Sequence, residues 1–425
     1  MPSENSTFKF LQLSDVHLDS PQNRGVLSFS PSQRAARYTD LVESLVGACR
    51  VASDQNVDAV LIPGGIWDHR SIRGDTAGTV VEAIAELKDI PVFITPGEGD
   101  PYTIDSYYNP AFLSARGMRS WPQNAHIFNQ HEFTTIKHPL RDDVAITGHA
   151  HLSPTRITER LLGGYVPRDE GAAFNILLFH GSLDSYPGMD GMHDRLTAQF
   201  SVEELAAQRF NYTALGHFHE YTELCDENDQ IIGAYSGCLC GRNFDELGPR
   251  VAILGTIVKD ANGTTTTTVE PIEVASNRLT YLPVDVSGLD AASLKEEIAY
   301  AVQDQEIRPD VDIVCISLEG THSPEFDPFE AAQELRPDFY HLLIVDRTRP
   351  DYLAEEYDPR TTEYKFLESM LERQTQAESK RAADPRADTL NNVPGFFLSA
   401  KTIEDALYYG LDALKRQKVS HRHVD

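Results

Sequence analysis

Short runs of apolar, largely β-branched residues, each ending in a polar loop that carries acids or histidines, constrain this chain more than any other feature. FKFLQL at 8–13, VDAVLI at 57–62 and IPVFIT at 90–95 read as strands. Between them, residues 30–55 read as a helix opened by Ser30 with proline in its first turn, and 76–88 as a second helix. Near-continuous apolar strands that alternate with amphipathic helices imply parallel pairing, with helices over the sheet faces. Further strands are expected at 143–147, 174–180, 212–217, 230–236 and 250–258, and the loops after them carry His149, His180, His217 and His219. Polar groups therefore collect at strand C-terminal ends, the edge at which open α/β sheets bind ligands.

At 425 residues the chain exceeds what one compact core normally serves, so several domains are expected. A break near 275–290 separates a first domain, 1–275, from a small α+β unit at 276–350 with helices at 291–303 and 329–336 and strands at 312–320 and 340–346. A linker and helical C-terminal segment, 351–425, completes the organisation. Residues 349–395 are rich in charge and proline and read as a partly ordered linker with one helical piece at 361–374. The last helix, 402–417, places Ile403, Ala406, Leu407, Leu411 and Leu414 on one face. No internal repeat is present.

The net charge of -28 repels nucleic acid over most of the surface, so any DNA contact must be local, metal-mediated or supplied by a partner. Five scattered cysteines fit a reducing cytoplasm better than a disulfide framework. Cys238 and Cys240 form a C-x-C pair with no second pair nearby and read as packing residues. The N-terminal stretch lacks a basic segment leading into an apolar core, so no signal peptide is expected, and no run approaches the roughly 18 apolar residues of a membrane span.

Five motifs follow one another in order: LSDVHLD (13–19), PGGIWDH (63–69), TPGEGDP (95–101), FHGSLD (179–184) and LGHFHEY (215–221). Divalent ions that hydrolyse phosphodiesters need carboxylate oxygens mixed with imidazole nitrogens. Asp15 and His17, two apart at a strand end, can turn to one ion if the backbone leaves the pleat, and His217 and His219 repeat the arrangement. His126, His131 and His193 stand alone and read as surface or packed side chains. His149 and His151 mimic the G-H-x-H spacing without a partner motif and are read as structural.

The ordered motifs resemble the calcineurin-like metallophosphoesterases, whose pattern is D-x-H, G-D, G-N-H-[DE], a lone H and G-H-x-H. The resemblance implies a β-sandwich flanked by helices, with one divalent ion held by Asp15, His17 and His219. A second ion would be held by His180, His217 and Glu98, the last standing where the family has asparagine. Two departures strike the centre of the mechanism. The family's bridging aspartate maps onto Gly65 and its catalytic histidine onto Gly99, so the expectation is weak or lost catalysis with one or two ions bound. Asp68 is expected either to orient a ligand histidine or to serve as a replacement ligand.

Within the superfamily, DVHLDSP, WDHRS and YSGCLCGRNFDELGPR (235–250) look like the SbcD and YhaO group of repair nucleases. That resemblance implies a DNA repair nuclease with a capping domain after the core, manganese as the ion, DNA as substrate, and a homodimer bound to an SbcC-like coiled-coil ATPase. A catalytically inactive DNA-binding or scaffold subunit is the alternative. Arg242 and Asn243 sit on a loop able to approach a phosphate or to serve as a plain turn.

Overall fold

The computed structural model describes residues 6–20, 29, 31–187, 196–383 and 400–416. It divides into two compact units, Met1–Leu279 and Thr280–Asp425. The division lies four residues beyond the expected one at 275/276, and residues 280–425 fall in a single unit with no division at 350/351. No described helix is long and apolar enough to cross a membrane.

The first unit opens with β1 (Ser6–Gln12), α1 (Pro31–Asp54), β2 (Ala59–Ile62), α2 (Gly74–Glu86), β3 (Val92–Ile94), α3 (Pro110–Ala115) and β4 (Ala125–Ile127). Ser30, the expected cap of α1, and His193 lie outside the described residues. The chain continues with β5 (Thr134–Lys137), β6 (Val144–Gly148), β7 (Phe174–His180), α4 (Val202–Ala207), β8 (Tyr212–Gly216), β9 (Thr222–Cys225), β10 (Ile231–Tyr235), β11 (Val251–Lys259) and β12 (Thr265–Glu273). One six-stranded sheet has the order β12-β11-β1-β2-β3-β4, the other β5-β6-β7-β8-β10-β9. The central pairs β1/β2, β2/β3, β6/β7, β7/β8 and β8/β10 are parallel. The outer strands β5, β9, β11 and β12 are joined antiparallel. Parallel pairing therefore holds for the centre of each sheet and reaches the margin at β4, which is parallel to β3, but fails at the other margins.

Period-two side-chain alternation explains the layering. In β1, β2 and β3, Phe8, Phe10, Ala59, Leu61 and Phe93 face the second sheet and meet Phe174, Ile176, Leu178, Tyr212 and Ala214. The intervening Val60, Ile62, Val92 and Ile94 face the opposite way, onto Leu41, Leu45 and Ala48 of α1 and Val80 and Ile84 of α2. Leu177 and Phe179 of β7 pack outward onto Leu162, Phe200 and Leu205. Full burial of side chains of this size contributes about 1.5–3 kcal/mol each, so the doubly covered strands anchor the fold. Gln12 is a buried polar group inside this core. Its Nε2 donates to Leu215 O at 3.1 Å and Ala234 O at 2.8 Å, and its Oε1 accepts from Tyr212 at 2.7 Å. The two sheets are thus tied together directly beneath the loop that follows β1.

The second unit contains β13 (Leu279–Asp285, which starts at the division), α5 (Ala291–Asp304), β14 (Ile313–Glu319), β15 (Thr321–His322), α6 (Pro328–Gln333), β16 (His341–Asp346), β17 (Arg349–Pro350), α7 (Thr362–Ala383) and α8 (Ala400–Arg416). The sheet order is β13-β14-β16, with β14 and β16 parallel, and α5 and α6 bury Leu294, Ile298, Ala331 and Ala332 against it. The helical piece expected at 361–374 extends to Ala383 as α7. Leu367 of α7 joins Leu407 and Leu411 of α8 around Tyr352. The packed residues of α7 lie within the expected helical piece, so α8 covers that part of the helix. Leu414, expected on the buried face of α8, is exposed.

Candidate metal centre

The functional side chains lie at or just beyond the C-terminal ends of β1, β2, β3, β7 and β8. Directly after β1 the backbone leaves the pleat: Asp15, His17 and Asp19 hold φ values of 51°, 50° and 58°, left-handed conformations that cost about 1–3 kcal/mol each unless the surroundings impose them. The loop after β2 imposes them. Asp15 N donates to Gly64 O at 3.2 Å, His17 N to Gly65 O at 2.9 Å and Leu18 N to Ile66 O at 2.9 Å. Asp15 itself is buried, and its Oδ2 accepts from Ser14 Oγ at 2.6 Å and His217 N at 3.0 Å. The first and last motifs are thereby joined.

Two groups of side chains result, each with ligand atoms close enough to share one ion: Asp15, His17 and His219, and Glu98, His180 and His217. In the first, His17 Nδ1 is 2.7 Å from Asp68 Oδ1, which turns Nε2 inward to 3.8 Å from Asp15 Oδ1. That Nε2 is buried and has no hydrogen-bond partner. An orphaned imidazole nitrogen facing a carboxylate across such a gap is what a divalent cation would satisfy, so the residues present fit an ion here. Burial holds the His17 ring below its ordinary protonation range, helped by the charge of Arg242 and opposed by Asp68, and an unprotonated ring is the ligating form. Asp68 thus takes the orienting role.

His219 is held from outside by a pair that the motifs did not assign. Its Nδ1 lies 2.8 Å from Glu246 Oε1 and 2.8 Å from Arg242 Nη2, and Arg242 is itself fastened to Glu246 through its backbone N at 2.7 Å and its Nε at 3.2 Å. Burial would push the Glu246 carboxyl up, but hydrogen bonds from His219 and Arg242 hold it far below the usual carboxylate range. The GRNFDE loop is therefore not a plain turn: Arg242 reaches the first group of ligands.

In the second group, His180 Nδ1 donates to Pro63 O at 2.7 Å and presents Nε2 to Glu98 Oε2 at 2.8 Å, an ion pair out of line for a hydrogen bond. Glu98 Oε1 is 2.9 Å from His217 Nδ1. Burial opposes charge on both partners, yet the attraction to Glu98 lifts His180 to about 10, and His180 and His217 hold Glu98 well below its ordinary value. Two imidazoles are clamped around one carboxylate, the donor set a divalent ion would take over.

Gly65 and Gly99 differ sharply. A Cβ on Gly65 would lie 2.6 Å from Asp15 Oδ1 and 2.7 Å from Asp15 Cα, and φ there is 74°. At Gly99 the nearest atoms to a Cβ are Asp68 Oδ1 at 3.8 Å and His17 Cε1 at 3.9 Å, ordinary contact distances. Asp100, in the same motif but without an expected role, locks this geometry. Its carboxylate accepts from Gly65 N at 3.0 Å, Ile66 N at 2.8 Å, Gly97 N at 2.8 Å and Tyr108 Oη at 2.6 Å. The signal for Asp100 was an acid closing a glycine-rich turn. For Glu246 it was an acid four residues beyond an arginine.

His149 and His151 are buried beside this centre and outside both groups. His151 Nε2 approaches His180 O at 3.4 Å, while neither ring nitrogen of His149 has a partner. Cys238 and Cys240 are buried free thiols, Cys240 Sγ accepting from Arg37 Nη2 at 3.2 Å.

Residues 8–221 match the family model described as calcineurin-like phosphoesterase. Among solved structures, the chain is similar to a protein from Thermus thermophilus at 14% identity, over 62% of this chain and 99% of that one, with a TM-score of 0.33. It is similar to a dimetal phosphatase from Danio rerio at 12% identity over 63% and 98%, TM-score 0.33. A purple acid phosphatase from yellow lupin (Lupinus luteus) seeds is similar at 10% identity over 63% and 54%, TM-score 0.33.

Proposed function

The chain belongs to the calcineurin-like phosphoesterase family, and we propose that it is a nuclease-type phosphodiesterase acting at DNA ends, with weakened chemistry. The observation that carries the reading is the convergence of six side chains, from strand ends of both sheets, into two ion-sized groups. Bound there, a divalent ion such as manganese would polarise a phosphoryl oxygen and activate water for attack. The chain's own residues hold the ligand rings in place through Asp68, Pro63 O and Glu246, and keep Arg242 beside them as a fixed positive charge.

Missing from this set is a group at position 99 able to protonate a leaving oxygen or steady the phosphate. The absence of one such group costs typically 10²–10⁴ in rate, the basis for weak turnover. The DNA-end substrate, the homodimer, the SbcC-like ATPase partner and the cytoplasmic location rest on the likeness of segments 13–19 and 235–250 to the SbcD and YhaO group. The acidic surface fits a partner-supplied DNA contact. The glycines at 65 and 99 favour a second reading, an inactive DNA-binding or scaffold subunit of the same complex.

Cleavage of single- and double-stranded DNA by the full chain, with and without the ATPase, separates the two. Slow cleavage stimulated by Mn2+ and abolished by Asp15→Asn is expected. No cleavage under any of these conditions would overturn the nuclease reading in favour of the scaffold.

A further inference from the structure

Glu246 alone reaches His219 Nδ1, at 2.8 Å, so that ring keeps its outer support without Arg242. Arg242 is nevertheless fixed from both sides. Gly241 O, just before it, accepts from Nη2 of Arg37, a buried arginine on α1 that also donates to Asp40 Oδ2 at 2.9 Å. Glu246 then fastens one edge of the guanidinium: its Oε2 accepts from Arg242 N at 2.7 Å and Nε at 3.2 Å, and its Oε1 from Nη2 at 2.5 Å. The remaining nitrogen, Nη1, has no hydrogen-bond partner among the described residues, and the side chain is 16% exposed. After burial, the charge of Arg242 is the largest influence holding the His17 ring below its ordinary range, so the guanidinium lies close to that ring. Burial opposes the guanidinium's own charge, Glu246 sustains it and Asp68 adds to it. His17 and Asp68 are also what a Cβ at position 99 would meet, Asp68 Oδ1 at 3.8 Å and His17 Cε1 at 3.9 Å. Arg242 therefore stands beside the same two side chains that border the place where Gly99 contributes nothing.

We propose that Arg242 is the phosphate-binding residue of this centre, its Nη1 donating to a non-bridging oxygen of a phosphoryl group seated beside Asp15, His17 and His219, in place of the side chain that position 99 lacks. A guanidinium stays charged at any working pH and presents planar N–H donors that match phosphoryl oxygens. Glu246 does not cancel it, because that carboxylate is shared with His219 and engages the Nε and Nη2 edge, leaving Nη1 for a ligand. Since a guanidinium does not release its proton, Arg242 steadies phosphoryl charge only, and the leaving oxygen takes its proton from solvent water. Half of what a histidine at 99 would supply is thereby kept and half is lost.

The inference rests on the phosphoesterase reading of this centre and is tested without turnover. The full-length protein and its Arg242→Gln variant, which keeps a donor for Glu246, are titrated with inorganic phosphate at saturating Mn2+ by calorimetry, with the bound Mn2+ of each measured by elemental analysis. Phosphate affinity is expected to fall about 10- to 100-fold in the variant, the range of one hydrogen bond to a charged group. Unchanged affinity, or a wild-type protein that binds no phosphate, overturns the proposal. If the variant misfolds or loses Mn2+, a crystal structure of the wild-type protein with Mn2+ and phosphate decides the matter. Nη1 within about 3 Å of a phosphate oxygen is expected there, and phosphate bound away from the guanidinium overturns the proposal. Unchanged phosphate affinity with DNA cleavage intact would sink this inference alone, whereas Arg242-dependent phosphate binding without cleavage would sink only the nuclease reading.

Discussion

At the scale of single residues, a missing side chain can be an open space or a closed one, and the two glycines of the centre show both. At Gly65 the backbone is left-handed and pressed against Asp15, with its amide held by Asp100. Placing aspartate there combines a left-handed β-carbon, a clash with main chain and a third carboxylate beside Asp15. Gly65→Asp is therefore expected to lower stability by on the order of 2–3 kcal/mol and not to raise hydrolysis. Gly99 has ordinary clearance toward Asp68 and His17, so Gly99→His is expected to leave stability nearly unchanged and to raise any Mn2+-dependent cleavage. Thermal melts with a phosphodiesterase assay on both variants check the pair. A fully stable, more active Gly65→Asp protein would show that the loop relaxes where the structure holds it tight.

At the scale of elements, the C-terminal ends of β6 and β7 and the chain just before β5 enclose His149. Its ring sits 5.1 Å from Phe133, 5.3 Å from Phe179, 5.5 Å from His151 and 6.5 Å from His131, centroid to centroid. Burial, then the neighbouring histidines His151, His131 and His180, hold it well below its ordinary value of 6.5. The unfolded chain gains a proton there as pH drops through about 6.5 while the folded one does not. This contribution to stability is present above that pH and is lost below it, by up to about 1.4 kcal/mol per pH unit for one group. His149→Phe, which suits a pocket lined by Phe133 and Phe179, should keep neutral-pH stability and flatten the acid limb in urea titrations near pH 7.5 and 5. His151, lowered to about 4 by burial, leaves part of the slope in place. An unchanged slope would mean that His149 is solvated.

The same elements show what a sequence reveals. The core strands β2, β7 and β8 were legible because burial on both faces demands continuous apolar runs. By contrast β4, β5, β9 and β12 were not. They are short or half-exposed, and β12, a threonine run, becomes a strand only because β11 lies antiparallel beside it. Ligand histidines after strand ends are likewise visible in a motif. The roles of Asp100 and Glu246 depend on loops that meet only in three dimensions.

At the scale of the whole molecule, a net charge of -28 sets how nucleic acid can approach. Each phosphate neutralised on duplex DNA contributes roughly 0.9 to the slope of log affinity against log salt, and a protein with 6–10 such contacts loses about 10³–10⁵ in affinity between 50 and 200 mM salt. A net charge of -28 disfavours that many contacts over most of the surface. If the proposed DNA-end contact is confined to the metal edge and Arg242, the slope for the chain alone should be about 1–2. Binding should also vanish with a chelator, because two carboxylates without their ions repel phosphate. Fluorescence anisotropy with an end-labelled duplex, in Mn2+ and then in chelator, measures both quantities. A steep slope, or affinity that survives metal removal, would place the DNA on a basic surface elsewhere in the chain and separate DNA binding from the phosphoesterase centre.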